Sequence, residues 1–128
     1  MKKLLLLLLL FTTLVFSSAT YAVWTKIINS NAMALYVDFD TIKKHGGYVY
    51  YWELGDYFKP DQFGDLSAKV YREVDCKLFR TKVLSDSFHT EPMGKGIPSS
   101  SSNTPDEEWR YPAPNTPTRS ILKKVCSK

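Results

Sequence analysis

The chain has 128 residues, 17 basic and 13 acidic side chains, a formal net charge of +4 and a sequence pI of about 9.0. Its length suits a single domain. Two of the basic residues, Lys2 and Lys3, stand at the very start; beyond position 22 the charges nearly balance at +2. The only adjacent basic residues there are Lys43-Lys44 and Lys123-Lys124, which read as solvated pairs, so nucleic acid is not an expected partner.

The first segment, "MKKLLLLLLLFTTLVFSSATYAVW", has a positive start, a largely apolar run from Leu4 to Phe16, and small or polar residues up to Ala22. This is the pattern of a secretory signal peptide, and the run is shorter than the roughly 18 residues a spanning helix needs. Residues 1–22 are therefore read as a leader, with Thr20 and Ala22 as the small residues before a cleavage after Ala22; cleavage after Ala19 is the alternative. Residues 23–128 are read as one domain. No cysteine stands at the junction, so a lipoprotein anchor is not expected, and neither is an integral membrane segment after cleavage. The expected location is the periplasm, with the cell surface or secretion as further destinations.

The stretch from 24 to 90 is rich in β-branched and aromatic residues. Strands are expected at 23–28, at 34–39, and after the hairpin signal Gly46-Gly47. In the third strand Tyr48, Tyr50, Trp52 and Leu54 share one face, and Val49, Tyr51 and Glu53 the other. Two more strands follow at 66–75 and 77–88. A last short strand is expected at "EEWRY" (107–111). Residues 91–107, with three prolines, two glycines and four consecutive serines, read as a mobile loop.

The end of the chain reads as a helix. Thr116 suits an N-cap and Pro117 the first helical position. Ile121, Leu122, Val125 and Cys126 gather on one side of it. Cys76 and Cys126 are the only cysteines, and an exported chain meets oxidising conditions, so they are expected to form a disulfide closing a loop of about 50 residues. The pattern predicts an α+β domain: an antiparallel sheet of about six strands, with one C-terminal helix packed on a face and tethered by that disulfide.

Several short motifs occur together and in order: "YVDFDTI" (36–42), "YYWEL" (50–54), "VDC" (74–76), "MGKG" (93–96), "EWRYPAPNT" (108–116) and a terminal "VC" (125–126), after an opening Trp24. In this combination the chain resembles the surface-adhesin protein E family of Gram-negative bacteria. The resemblance implies the same sheet, helix and disulfide. It also implies a non-enzymatic binding domain for host matrix or serum proteins, and homodimer formation.

On this reading the function is that of an exported envelope protein. The alternative is a periplasmic structural or stress-related component with no host ligand, whose protein partner would be another envelope component. The candidate interaction residues are aromatic: Tyr48, Tyr50, Tyr51, Trp52, Tyr57 and Phe58. Trp24, Tyr50 and Trp52 are expected in the core under the helix, and Tyr51 and Tyr57 at the surface. No catalytic, cofactor or metal site is expected. There is no G-x-S-x-G, no glycine-rich phosphate loop and no metal-ligand spacing, and His45 and His89 read as surface residues.

Overall fold

The computed structural model describes residues 22–128; the leader expected at 1–22 therefore lies almost wholly outside the described residues. Six strands follow one another in a single antiparallel sheet whose spatial order is the chain order: β1 (Thr25–Asn29), β2 (Met33–His45), β3 (Tyr48–Tyr57), β4 (Ser67–Asp75), β5 (Arg80–His89) and β6 (Ser100–Ser102). One helix, α1 (Pro117–Cys126), completes the fold. Local chemistry closes each hairpin. Ser30 Oγ accepts the backbone N–H groups of Ala32 and Met33 between β1 and β2. Gly46 and Gly47 hold φ of +60° and +84° between β2 and β3, the backbone a two-residue hairpin needs. After β4, Asp75 Oδ1 accepts from Lys77 N and Leu78 N, which turns the chain into β5.

The two faces of this sheet are built differently. One is covered by α1, which lies across β1, β2 and β3 and buries Ile121, Leu122 and Val125 against Leu35, Val37, Val49, Tyr51 and Val74. Thr116 caps the helix by accepting from Arg119 N. The Cys76–Cys126 disulfide ties its last turn to the end of β4. The α+β architecture, the helix and the bridge are as the sequence predicts.

The other face is not the one expected to lie open. Tyr51 is 0% exposed, at the centre of the core beneath α1, while Tyr50 and Trp52 point to the opposite face. Period-two alternation sets which residues share a face, but the helix chooses the face, and it settles on the smaller, aliphatic set around Val49 and Val74. Trp24 likewise lies half-buried beside Trp52 rather than under the helix.

The sixth strand is also displaced from its expected place. It forms at Ser100–Ser102, inside the segment read as a mobile loop, and pairs with Asp86–Phe88. Residues 107–111 contribute a single bridge, between Arg110 and Thr81. A strand propensity needs a free sheet edge, and an all-serine stretch can take that edge through its backbone alone. The same segment holds a 3-10 turn at Pro92–Gly94 that covers one end of the open face. There Met93 N donates to Asp56 Oδ1 and Gly94 N to Ser67 Oγ. Gly94 sits at φ +67°, and a Cβ at that site would stand 2.9 Å from Lys69 and 3.3 Å from Leu54. Only glycine fits both the backbone and the space.

Candidate functional site

The loop between β3 and β4 carries two strongly exposed aromatic side chains. Phe58 is 56% exposed and Phe63 77%. Such exposure would be unremarkable in a floppy loop, but this loop is fixed. Asp61 Oδ1 accepts from Phe63 N and from Asp65 N, both at 2.9 Å. Asp61 N donates to Asp65 O and Gly64 N donates back to Asp61 O. At the loop's base Tyr57 N bonds to Leu66 O, and Phe58 N reaches Ala32 O in the β1–β2 turn. Asp65 is buried and its Oδ1 accepts from Ser99 Oγ, which fastens the loop to the start of β6. The two aspartates are therefore structural. The spacing Asp61-x-x-Gly64 was the available signal, since an Asx side chain that bonds its own backbone two residues on is a known turn device.

Beside this loop lies a groove of about 570 Å³ lined by Met33, Tyr57, Phe58 and Pro60, with Lys59 and Asp61 at its rim. Tyr57 is half-buried in its wall. Burial, and then the charges of Asp61 and Asp65, push its hydroxyl pKa above the usual tyrosine value. The tyrosine stays neutral and can donate a hydrogen bond across the physiological range. A fixed pair of aromatic rings, Tyr57 and Phe58, in a largely apolar groove is a form a protein-binding surface takes.

The open face of the sheet is the second aromatic surface. Trp52 stacks on Tyr71 at 4.9 Å, and Tyr50 lies 6.3 Å from the same ring. Tyr50 donates to Glu73 at 3.4 Å. At the far end Trp109 folds over Tyr48, with the cations of Arg80 and Lys82 at 4.5 and 4.8 Å from its ring. Residues 107–111 thus keep only the Arg110–Thr81 bridge to β5, while Trp109 covers Tyr48. The rings here mainly face one another and are half-buried, so this face offers a partner less than the loop does.

Comparison with known proteins fixes the family. The family model described as surface-adhesin protein E matches residues 24–127. The chain belongs to the surface-adhesin protein E family. Among solved structures it is similar to Haemophilus influenzae protein E. One crystal form of that protein superposes with a TM-score of 0.64 at 13% identity, covering 86% of this chain and 91% of that one. A selenomethionine form gives 0.61 at 14%, over 86% and 90%. Protein E from non-typeable Haemophilus influenzae gives 0.56 at 14%, over 86% and 79%. At such identities the likeness is one of fold. No curated protein matches the sequence.

Within this adhesin E fold the residues predicted to matter take distinct places. Cys76 and Cys126 form the bridge. Tyr57 lines the groove, whereas Tyr51 belongs to a buried polar group: its hydroxyl donates to Glu53 Oε2 at 2.8 Å, and Arg72 Nε lies 2.8 Å from the same oxygen. That guanidinium contact is an ion pair whose N–H is not aimed along it. Burial and the Glu53 charge push the Tyr51 hydroxyl well above its ordinary pKa, against the pull of Arg72. Burial disfavours the Arg72 charge, but Glu53, with Tyr51 and Asp106, more than offsets that and holds it on. His89 is 1% exposed, not a surface residue: β5 carries it opposite Ser67, under the 91–94 segment, where Nε2 meets Ser87 Oγ at 2.9 Å. His45 is exposed on the β2–β3 turn. Among the described residues no helix is long and apolar enough to cross a membrane, and no three His, Cys, Asp or Glu side chains gather as metal ligands.

Proposed function

We propose that the chain is an exported, non-enzymatic envelope protein that works by holding another protein, of host matrix or serum origin, against the β3–β4 loop. The observation that carries this reading is the fixed presentation of Phe58, in the Tyr57 groove, and of Phe63 farther along the same loop, beside Phe88 and Ser99. Exposed apolar rings are costly to keep in water, and a loop that spends a buried network on holding them is explained by a partner that covers them. Family membership supports the same direction, since the family is described as a surface adhesin. The leader expected at 1–22 supplies the route out of the cytoplasm.

The test is surface exposure followed by binding. An epitope inserted at the Gly46-Gly47 tip disturbs little, because both glycines face open space. The reading expects an external protease to remove that epitope from intact cells. It expects the purified domain to bind an immobilised matrix or serum protein, and Phe58→Ala with Phe63→Ala to abolish that binding. Protection until the cells are lysed would move the protein to the periplasm and favour a structural or stress-related role there.

A further inference from the structure

The open face encloses one histidine and leaves it incompletely paired. His89, 1% exposed, ends β5 opposite Ser67. Its Nε2 meets Ser87 Oγ, while its Nδ1 is buried without a partner among the described residues. A protonated ring would fare worse: both nitrogens would be donors, and a charge would sit out of water. No carboxylate oxygen lies within 4 Å of either nitrogen among the described residues. The charged groups of the surrounding elements do not fill that gap. From β4 comes Lys69, paired with Ser87 and itself a cation. From β3, Asp56 Oδ1 is occupied by Met93 N, and in the β3–β4 loop Asp65 Oδ1 is occupied by Ser99 Oγ. Glu91 and Lys95, in the covering segment, are exposed to solvent. Asp86 of β5 stands three positions away, on the other face of the strand, and β6 brings only serines.

The cover over this ring is the Pro92–Gly94 turn, seated by Met93 N on Asp56 Oδ1 and by Gly94 N on Ser67 Oγ. Met93 holds φ +59°, a left-handed backbone that costs a non-glycine residue free energy and narrows the gap between a seated and a lifted turn. We propose that His89 makes this turn a pH-sensitive latch: the neutral ring lets the turn seat, and a proton taken from water onto the ring lifts it, freeing Met93 and Gly94 from Asp56 and Ser67. The seated form holds a neutral ring and the lifted form admits a charged, hydrated one. Seating is therefore favoured above the range where a free imidazole titrates, near 6.5, and loses ground as pH falls through it. The latch stands on the ring and its cover and does not depend on what the loop surface binds.

Amide hydrogen exchange tests it, with each rate divided by that of the unstructured amide at the same pH. Between pH 7.5 and pH 5.0 the protection of Met93 N and Gly94 N should fall at least about fivefold in the wild-type domain, while amides of β2 and β3 keep theirs. The range stops where carboxylates of ordinary pKa, near 4, are still charged. In His89→Gln, which keeps a polar atom for Ser87 and cannot take the proton, the fall should be less than about twofold. Protection that does not change with pH in wild type, or a fall that His89→Gln leaves intact, overturns the latch. Should His89→Gln not fold, the wild-type ring itself reports by NMR. Its Cε1–H signal should titrate between pH 8 and pH 5 with the same midpoint as the Met93 and Gly94 amide signals. A ring that does not titrate in that range, or one that titrates while those amides stay still, contradicts the proposal.

Discussion

The two faces of one sheet here solve the same problem in opposite ways. The helix side is closed by aliphatic packing, a covalent bridge and a buried Tyr51–Glu53–Arg72 group. The open side is floored by half-buried rings and closed only at its ends, by the Pro92–Gly94 turn and by Trp109. Residues 50 and 51 are neighbours and both tyrosines, yet one is held in the core and the other lies near water. Side-chain identity therefore says less about a residue's role than the layer that covers it. A stable closed face also frees the rest of the molecule, including the β3–β4 loop, to keep apolar rings exposed.

The comparison is broken most severely at the bridge. Replacing Cys76 and Cys126 by serine removes a tether worth on the order of 4 kcal/mol in chain entropy. Urea unfolding should show a loss of most of that size, with α1 coming away from β1–β3; an unchanged midpoint would mean the apolar stripe holds the helix unaided. Next in size is the pair Tyr51→Phe and Tyr50→Phe. The first leaves buried Glu53 short of a donor and should cost about 1–3 kcal/mol. The second removes a long bond beside solvent and should stay within about 0.5 kcal/mol. Equal costs in chemical denaturation would erase the distinction between the faces.

On the open side, Gly94→Ala should cost about 1–2 kcal/mol, since it puts a Cβ on a left-handed backbone against Lys69 and Leu54. Thermal melting would detect it, and a neutral result would show the turn to be a loose cover. The smallest effects are those of pH. The Tyr51 hydroxyl is raised above its unfolded pKa near 10, so its contribution is complete below pH 10 and is lost as pH rises beyond it. Asp75 is lowered, by the N–H of Leu78 first and by Arg80 beside it. Its contribution is present above the unfolded value near 4 and fades as pH falls through the lower folded one. Tyrosinate absorbance should therefore lag in wild type relative to urea-unfolded protein, and Asp75→Asn should flatten the acid limb of the stability curve.

Much of this architecture was legible in the residues. The i, i+1, i+4, i+5 stripe of Ile121, Leu122, Val125 and Cys126, the Thr116-Pro117 start and the Gly46-Gly47 hairpin each carry their own local physics. What was hidden depends on contacts between distant segments. Alternation could not say whether Tyr50 or Tyr51 would meet the helix. Four serines gave no hint of an edge strand, because β6 pairs through its backbone and buries no side chain. His89 read as a surface residue because its burial depends on contacts with segments distant in the chain, which its immediate neighbours do not announce. The candidate surface was half legible: Tyr57 and Phe58 stand out by type, but the rigidity that makes them useful lies in Asp61 and Asp65.

The central claim is that the fixed loop, and not the tyrosine-rich sheet, meets a partner. The most direct measurement is binding of the purified domain to a panel of immobilised matrix and serum proteins, with Phe58→Ala/Phe63→Ala and Tyr50→Ala/Tyr71→Ala compared at matched circular dichroism. Wild type should bind at least one of them, the loop variant should lose at least tenfold in affinity, and the sheet variant should keep its affinity within about threefold, a difference above 1 kcal/mol for the loop alone. No binding by wild type, or loss confined to the sheet variant, would contradict it.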